Sequence, residues 1–204
     1  MRKIYISCFM GLCCLTTLVK AEEKGTSAEE MDVDITLTPE QRKKAEDAFI
    51  DIYAVLQHPR CLNCHPNGDR PLQGDNSQPH AMNISRESIT AGLQCAACHQ
   101  TQNSEAYGIE GGPPGAPNWH LPEKDMPLIF EGRNPGQLCL QLKDPNENGH
   151  KSLEQIYEHI AYDPLVLWGW DPGGNRLKPP VSHADFTKQF RLWIDLGAPC
   201  PSTP

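Results

Sequence analysis

Hydrophobic and polar positions divide this chain into stretches of different character. Ile4 to Val19 is an apolar run behind Arg2 and Lys3. Glu22 to Ile35 is polar and acidic, with little periodicity. From Leu37 the pattern turns helical. Thr38-Pro39-Glu40-Gln41 is a capping box with proline at the first helical position. Ala45, Ala48, Phe49, Ile52, Tyr53 and Leu56 then recur at helical spacing and predict a helix from Pro39 to Gln57. A shorter helix is expected over Ser85 to Gln100. Three more open at Asn134-Pro135-Gly136-Gln137, Ser152-Leu153-Glu154-Gln155 and Ser182-His183-Ala184-Asp185, and the last stops at Gly197. Their apolar positions are Leu138, Cys139 and Leu142, then Ile156, Tyr157 and Ile160, then Phe186, Phe190, Trp193 and Ile194.

Pro66 to His80 and Thr101 to Glu123 are rich in turn-forming residues and predict loops. Leu165-Val166-Leu167-Trp168-Gly169-Trp170 reads as an apolar, aromatic loop that packs in the core. The expected fold is mainly α with long Pro/Gly-rich loops. The 19 prolines and 16 glycines alone could suggest disorder, but the interspersed helices and aromatics argue for a folded domain.

The N-terminal pattern is that of a secretory signal cut after Ala21, which would leave no stable membrane span. Residues 22–36 then form a disordered tether, and residues 37–204 one compact domain. Cleavage removes Arg2, Lys3 and Lys20 from the 18 basic residues and none of the 26 acidic ones, leaving a net charge of −11. Such a surface disfavours nucleic acid and suits a basic docking face on a redox partner.

Cysteine changes the picture most. Cys61-Leu62-Asn63-Cys64-His65 recurs as Cys95-Ala96-Ala97-Cys98-His99. Cys-x-x-Cys-His is the pattern of covalent haem attachment. Two thiols three positions apart reach the two vinyl carbons of one porphyrin, and the adjacent histidine reaches its iron. Cys61, Cys64, Cys95 and Cys98 are thus candidate thioether residues for two haem c groups, with His65 and His99 as proximal ligands. A four-cysteine zinc ribbon usually places about 15–20 residues between its pairs. Here residues 65 to 94 intervene, and zinc leaves the two histidines unexplained. The motifs start 34 positions apart, too close for two separate domains, so both haems should share one.

Of nine cysteines, Cys8, Cys13 and Cys14 leave with the signal and four belong to the motifs. Cys139 and Cys200 remain, an even pair that predicts one disulfide in an oxidising compartment. The distal iron ligands are less determined. Two clusters offer candidates: His80 with Met82, and His120 with Met126. His159 and His183 lie on helices and read as ordinary polar positions, His150 reads as surface, and His58 precedes Cys61 too closely to reach over its own haem. Met126-Pro127 resembles the Met-Pro ligand segment of class I cytochromes c, which favours Met126 as one distal ligand and His80 or His120 as the other.

Trp193-Ile194-Asp195-Leu196-Gly197-Ala198 resembles the C-terminal segment of cytochromes c. With His58-Pro59-Arg60, Trp119-His120-Leu121-Pro122, Leu140-Gln141-Leu142-Lys143-Asp144-Pro145 and Leu167-Trp168-Gly169-Trp170, it is similar to small exported dihaem proteins often labelled isoquinoline 1-oxidoreductase subunit. The resemblance covers nearly all of the chain after residue 40. It implies a cytochrome c-like dihaem domain in the periplasm, carrying electrons alone or as the cytochrome subunit of an oxidoreductase. Its partner would be a molybdenum hydroxylase-type dehydrogenase or another cytochrome. The alternatives from the residues are a dihaem peroxidase-like enzyme, in which His120 serves as an acid–base group, and a haem gas sensor with one open iron. No nucleophile triad, carboxylate pair or phosphate loop competes.

Overall fold

A computed structural model describes residues 37–104 and 112–202. The expected signal, the tether and Gly111 of the second loop lie outside the described residues. The fold is mainly helical: α1 Pro39–Leu56, α2 Pro59–Leu62, α3 Arg86–Thr90, α4 Pro135–Lys143, α5 Leu153–Tyr162, α6 Pro164–Leu167 and α7 His183–Asp195. Two-residue strands β1 (Leu72–Gln73) and β2 (Gln78–Pro79) pair antiparallel within the first expected loop. No helix among the described residues is long and apolar enough to cross a membrane.

The helices begin where the side chains can cap them. Reciprocal capping boxes join Thr38 to Gln41, Asn134 to Gln137 and Ser152 to Gln155, while the Ser182 side chain accepts from the Asp185 N–H. Capping by Asp163 with Pro164 at N1 turns the first part of the expected aromatic loop into α6, followed by a 3-10 turn at Trp168–Trp170. The expected helix over Ser85–Gln100 stops at Thr90. Ala91 caps it, Gly92 takes φ +106°, and the second motif resumes as a 3-10 turn over Cys95–Ala97. Glycine permits that break because it lacks the Cβ that disfavours positive φ.

The core lies among α1, α4, α5 and α7. Phe49, Ile52, Leu138, Phe186, Phe190 and Trp193 are fully or almost fully buried there, and the Phe49 and Trp193 rings lie 5.0 Å apart. A Phe or Trp truncation in such a site costs about 3–5 kcal/mol. The Trp193 indole N–H donates to Pro199 O at 2.9 Å, and Lys143 Nζ donates to Ala198 O at 2.7 Å. Cys139 and Cys200 form the expected disulfide, which holds the C-terminal strand of chain against α4. Among the described residues, this apolar cluster draws nothing from residues 62–127. That stretch contains most of both motifs, and it folds around cavities instead.

Candidate functional site

The first motif starts at the edge of the core, where Cys61 packs against it. Residue His58 caps α2 by accepting the Arg60 N–H on Nδ1 at 3.2 Å, and α2 carries Cys61. Burial, then the nearby Cys64, pushes the Cys61 thiol up to about 12; burial, then Cys95, pushes Cys64 up to about 11. Thiols held this far toward the neutral form are the reverse of the low-pKa thiolates of redox dithiols. The His65 ring stacks on Phe130, with centroids 3.9 Å apart. Its Nδ1 lies 2.8 Å from Leu128 O. The carbonyl can only accept, so Nδ1 carries the proton and Nε2 keeps its lone pair for a metal. Burial lowers His65 to about 4, so its ring is neutral, the form that ligates.

The peptide segment that accepts from His65 is itself tied down. Tyr53 donates to Arg133 O, Gln57 to Phe130 O and Gln141 to Ile129 O, each at 2.9 Å. The Phe130 N–H returns to His65 O at 2.9 Å. Leu128 holds φ +45°, a region that costs a leucine about 1–3 kcal/mol and clusters at functional sites.

The second motif repeats this chemistry without the core. His99 Nδ1 lies 2.7 Å from Pro114 O, and burial lowers its pKa. Its ring lies parallel to Trp119 at 4.6 Å, and Trp119 meets Trp168 edge-on at 4.9 Å. Asn103 joins the surrounding loops: its Oδ1 accepts from the Gly115 N–H and from Trp168 Nε1, and its Nδ2 donates to Pro172 O. Gly115 is required, because a Cβ there would collide with the carbonyls of Gln100 and Gln102. Cys98 is exposed and Cys95 half-buried. Trp168 also reaches back toward the first motif, where the buried Arg60 guanidinium lies 5.7 Å from its ring and pairs with Asp75.

A cavity opens beside each motif histidine. One of about 610 Å³ is lined by His65, His120, Met126, His150 and His159. The other, about 580 Å³, is lined by Arg86, Cys95, His99, Trp119 and His120. Both fall in the range of about 300–1,000 Å³ usual for cofactor pockets. The segment from His120 to Asp125 contributes to both cavities and so divides them. The donor set fits haem c. Each pocket has a neutral imidazole with its second nitrogen fixed, that of the residue next to a motif cysteine, and Cys95 also lines the second cavity. Among the described residues no group of three or more His, Cys, Asp or Glu gathers to hold a metal ion.

The distal candidates separate. Met126 and His120 line the cavity of His65. The His80 ring lies 5.9 Å from that of His99, and its Nδ1 is held 2.8 Å from Ala81 O, leaving Nε2 for ligation. His80 and Met82 line neither cavity, and Met82 is 83 % exposed at φ 58°, whereas His120 lines both. His120 holds Asn118 O at 2.6 Å through Nδ1. His183 uses Nε2 on Ile160 O, the nitrogen a ligand would need.

Sequence reasoning passed over two residues. His159 lines the first cavity with Nδ1 3.1 Å from Asp163 Oδ2, the carboxylate–histidine pairing that orients metal-site imidazoles. Its spacing of four from Asp163 on a helix was the readable signal. Arg86 is 5 % exposed and borders the second cavity. Nothing in its sequence neighbourhood marks it. No family model matches the chain, and neither a curated protein nor a solved structure matches it.

Proposed function

We propose that this chain is an exported dihaem c-type electron-transfer protein. One observation carries the reading. The histidine of each Cys-x-x-Cys-His motif borders its own cavity, with Nδ1–H donated to a backbone carbonyl and burial keeping the ring neutral. A bound haem supplies one-electron Fe(II)/Fe(III) chemistry. The chain does the rest. Cys61 and Cys64 attach the first group and His65 holds it from the proximal side; Cys95, Cys98 and His99 do the same for the second. Met126 is the favoured distal ligand at the first site, with His80, whose ring lies near that of His99, or His120, which lines the second cavity, at the other. A Met/His pair raises a haem potential, so the two centres would sit at different potentials.

Export to the periplasm follows from the signal pattern, and the acidic mature surface suits a basic redox partner. The resemblance to the isoquinoline 1-oxidoreductase subunit group points to a molybdenum hydroxylase-type dehydrogenase or another cytochrome as that partner. A second reading, an enzyme or gas sensor with one open iron, draws on a separate observation. His159, oriented by Asp163, shares the first cavity with His120 and could serve there as an acid–base group.

Pyridine haemochrome stoichiometry and EPR on the mature protein, made with haem c maturation, test both. Two covalent haems per chain, both low-spin and indifferent to carbon monoxide, are expected for electron transfer. A high-spin centre that binds carbon monoxide moves the function to the second reading. No covalent haem overturns the dihaem proposal.

A further inference from the structure

The second cavity contains a buried cation with an unused donor. Arg86 opens α3 and is 5 % exposed. Its Nε donates to Pro122 O at 3.0 Å and its Nη1 to Gly68 O at 2.5 Å. Its Nη2 is buried and has no hydrogen-bond partner. Both acceptors are neutral carbonyls, and no ion pair to Arg86 is present among the described residues. The carboxylates around it are otherwise placed. Asp69 accepts the Glu87 N–H, while Glu123 and Asp125 line the same cavity with exposed side chains. Asp69 acts on Arg86 through its charge without a direct ion pair; a buried guanidinium with a donor unpaired is costly, and a carboxylate is the anion its planar fork fits.

We propose that Arg86 is a carboxylate-binding residue of the second cavity, and that the carboxylate it binds is a propionate of the haem attached at Cys95 and Cys98. The proposal rests on the dihaem reading. Nε and Nη1 clamp the loops at Gly68 and Pro122, so the guanidinium is oriented before the carboxylate arrives, which reduces the ordering cost of binding. A cation fixed beside this group favours the reduced iron, so Arg86 would raise the potential of the second centre above its value without the charge.

The test uses the mature holoprotein and its R86Q and R86K variants. Haemochrome stoichiometry first establishes two haems per chain; if the wild type has none, the dihaem reading has failed, independently of Arg86. With both present, spectroelectrochemical titration of R86Q is expected to lower one midpoint potential clearly and the other less, while R86K retains more of the wild-type value. Resonance Raman of R86K is expected to show a displaced propionate bending band, which tests the contact even where R86Q fails to mature. Unchanged potentials and an unchanged band would overturn the proposal and leave Arg86 a loop clamp. Succinate supplies the control for a free carboxylate. A wild-type potential that responds to succinate, with none in R86Q, would overturn the propionate assignment in favour of a diffusible anion.

Discussion

Around the first motif, Cys61 and His65 lean on a continuous apolar core, and three side chains from α1 and α4 fasten the segment that holds the His65 ring. Around the second, Cys98 is exposed, and His99 is held by loops joined through Asn103 and stacked on Trp119. The same five-residue pattern thus occurs in a packed site and in a wetter, loop-built one. Burial and axial ligation are two levers on a haem potential. On the dihaem proposal both would act in the same direction: the better-buried first site has the methionine candidate, and the more open second site has the imidazole candidates. Such a chain can give its two centres different potentials without differing in the attachment chemistry. It also predicts unequal structural roles, because the first group would complete a core and the second would fill a loop pocket.

Removing each cysteine pair is the strongest way to break this comparison. C61A/C64A is expected to lose the first haem and most of the cooperative thermal transition. C95A/C98A should lose one haem and keep the helical core. Circular dichroism melts of the two variants check this, and equal losses would show that the sites do not differ structurally. The disulfide ranks next. C139S/C200S is expected to cost about 2–4 kcal/mol in urea denaturation, since it ties the chain end to the core that backs the first site. Its effect should be larger on the first centre's spectrum than on the second's. H80A then addresses the second site alone. It should open one iron to carbon monoxide and leave the other low-spin; a variant as unreactive as wild type would exclude His80 as the ligand.

The smallest effect is pH-dependent. Burial, then the charge of Arg60, holds His58 below its usual 6.5 while its Nδ1 caps α2. The unfolded chain therefore binds a proton that the folded one resists. The stability from this cap is present above pH 6.5 and is lost as the pH falls through the lower folded value. H58N keeps an acceptor without the titration. Its unfolding free energy should fall less than that of wild type between pH 7 and pH 5, as read from urea denaturation at the two pH values.

Much of the helical frame was legible along the chain. The helices at Pro39, Pro135, Leu153 and His183 begin at the expected caps, because capping and amphipathic spacing are local properties. The helix expected to carry the second motif was too long, because the periodicity through Gln100 concealed a glycine that adopts positive φ. The aromatic stretch at Leu165 divided its roles. Trp170 packs on Phe186 as core, whereas Trp168 bridges toward Trp119 and His99. At the candidate site, the two Cys-x-x-Cys-His motifs were legible because their residues are adjacent. Which side chains face each motif histidine was not, since they come from other parts of the chain.

The sequence by itself determined the two Cys-x-x-Cys-His motifs, the cysteine pair left over for a disulfide, and a mainly helical fold. Each rests on neighbours within a few positions or on simple counting. The tertiary structure alone decided which carbonyls hold the two imidazoles, that His80 approaches His99 while Met82 faces solvent, and that Arg86 borders a cavity with one donor unused. Those outcomes depend on where loops of many residues close. Loop closure is set by packing and hydrogen bonds across the whole domain, which a linear pattern does not encode.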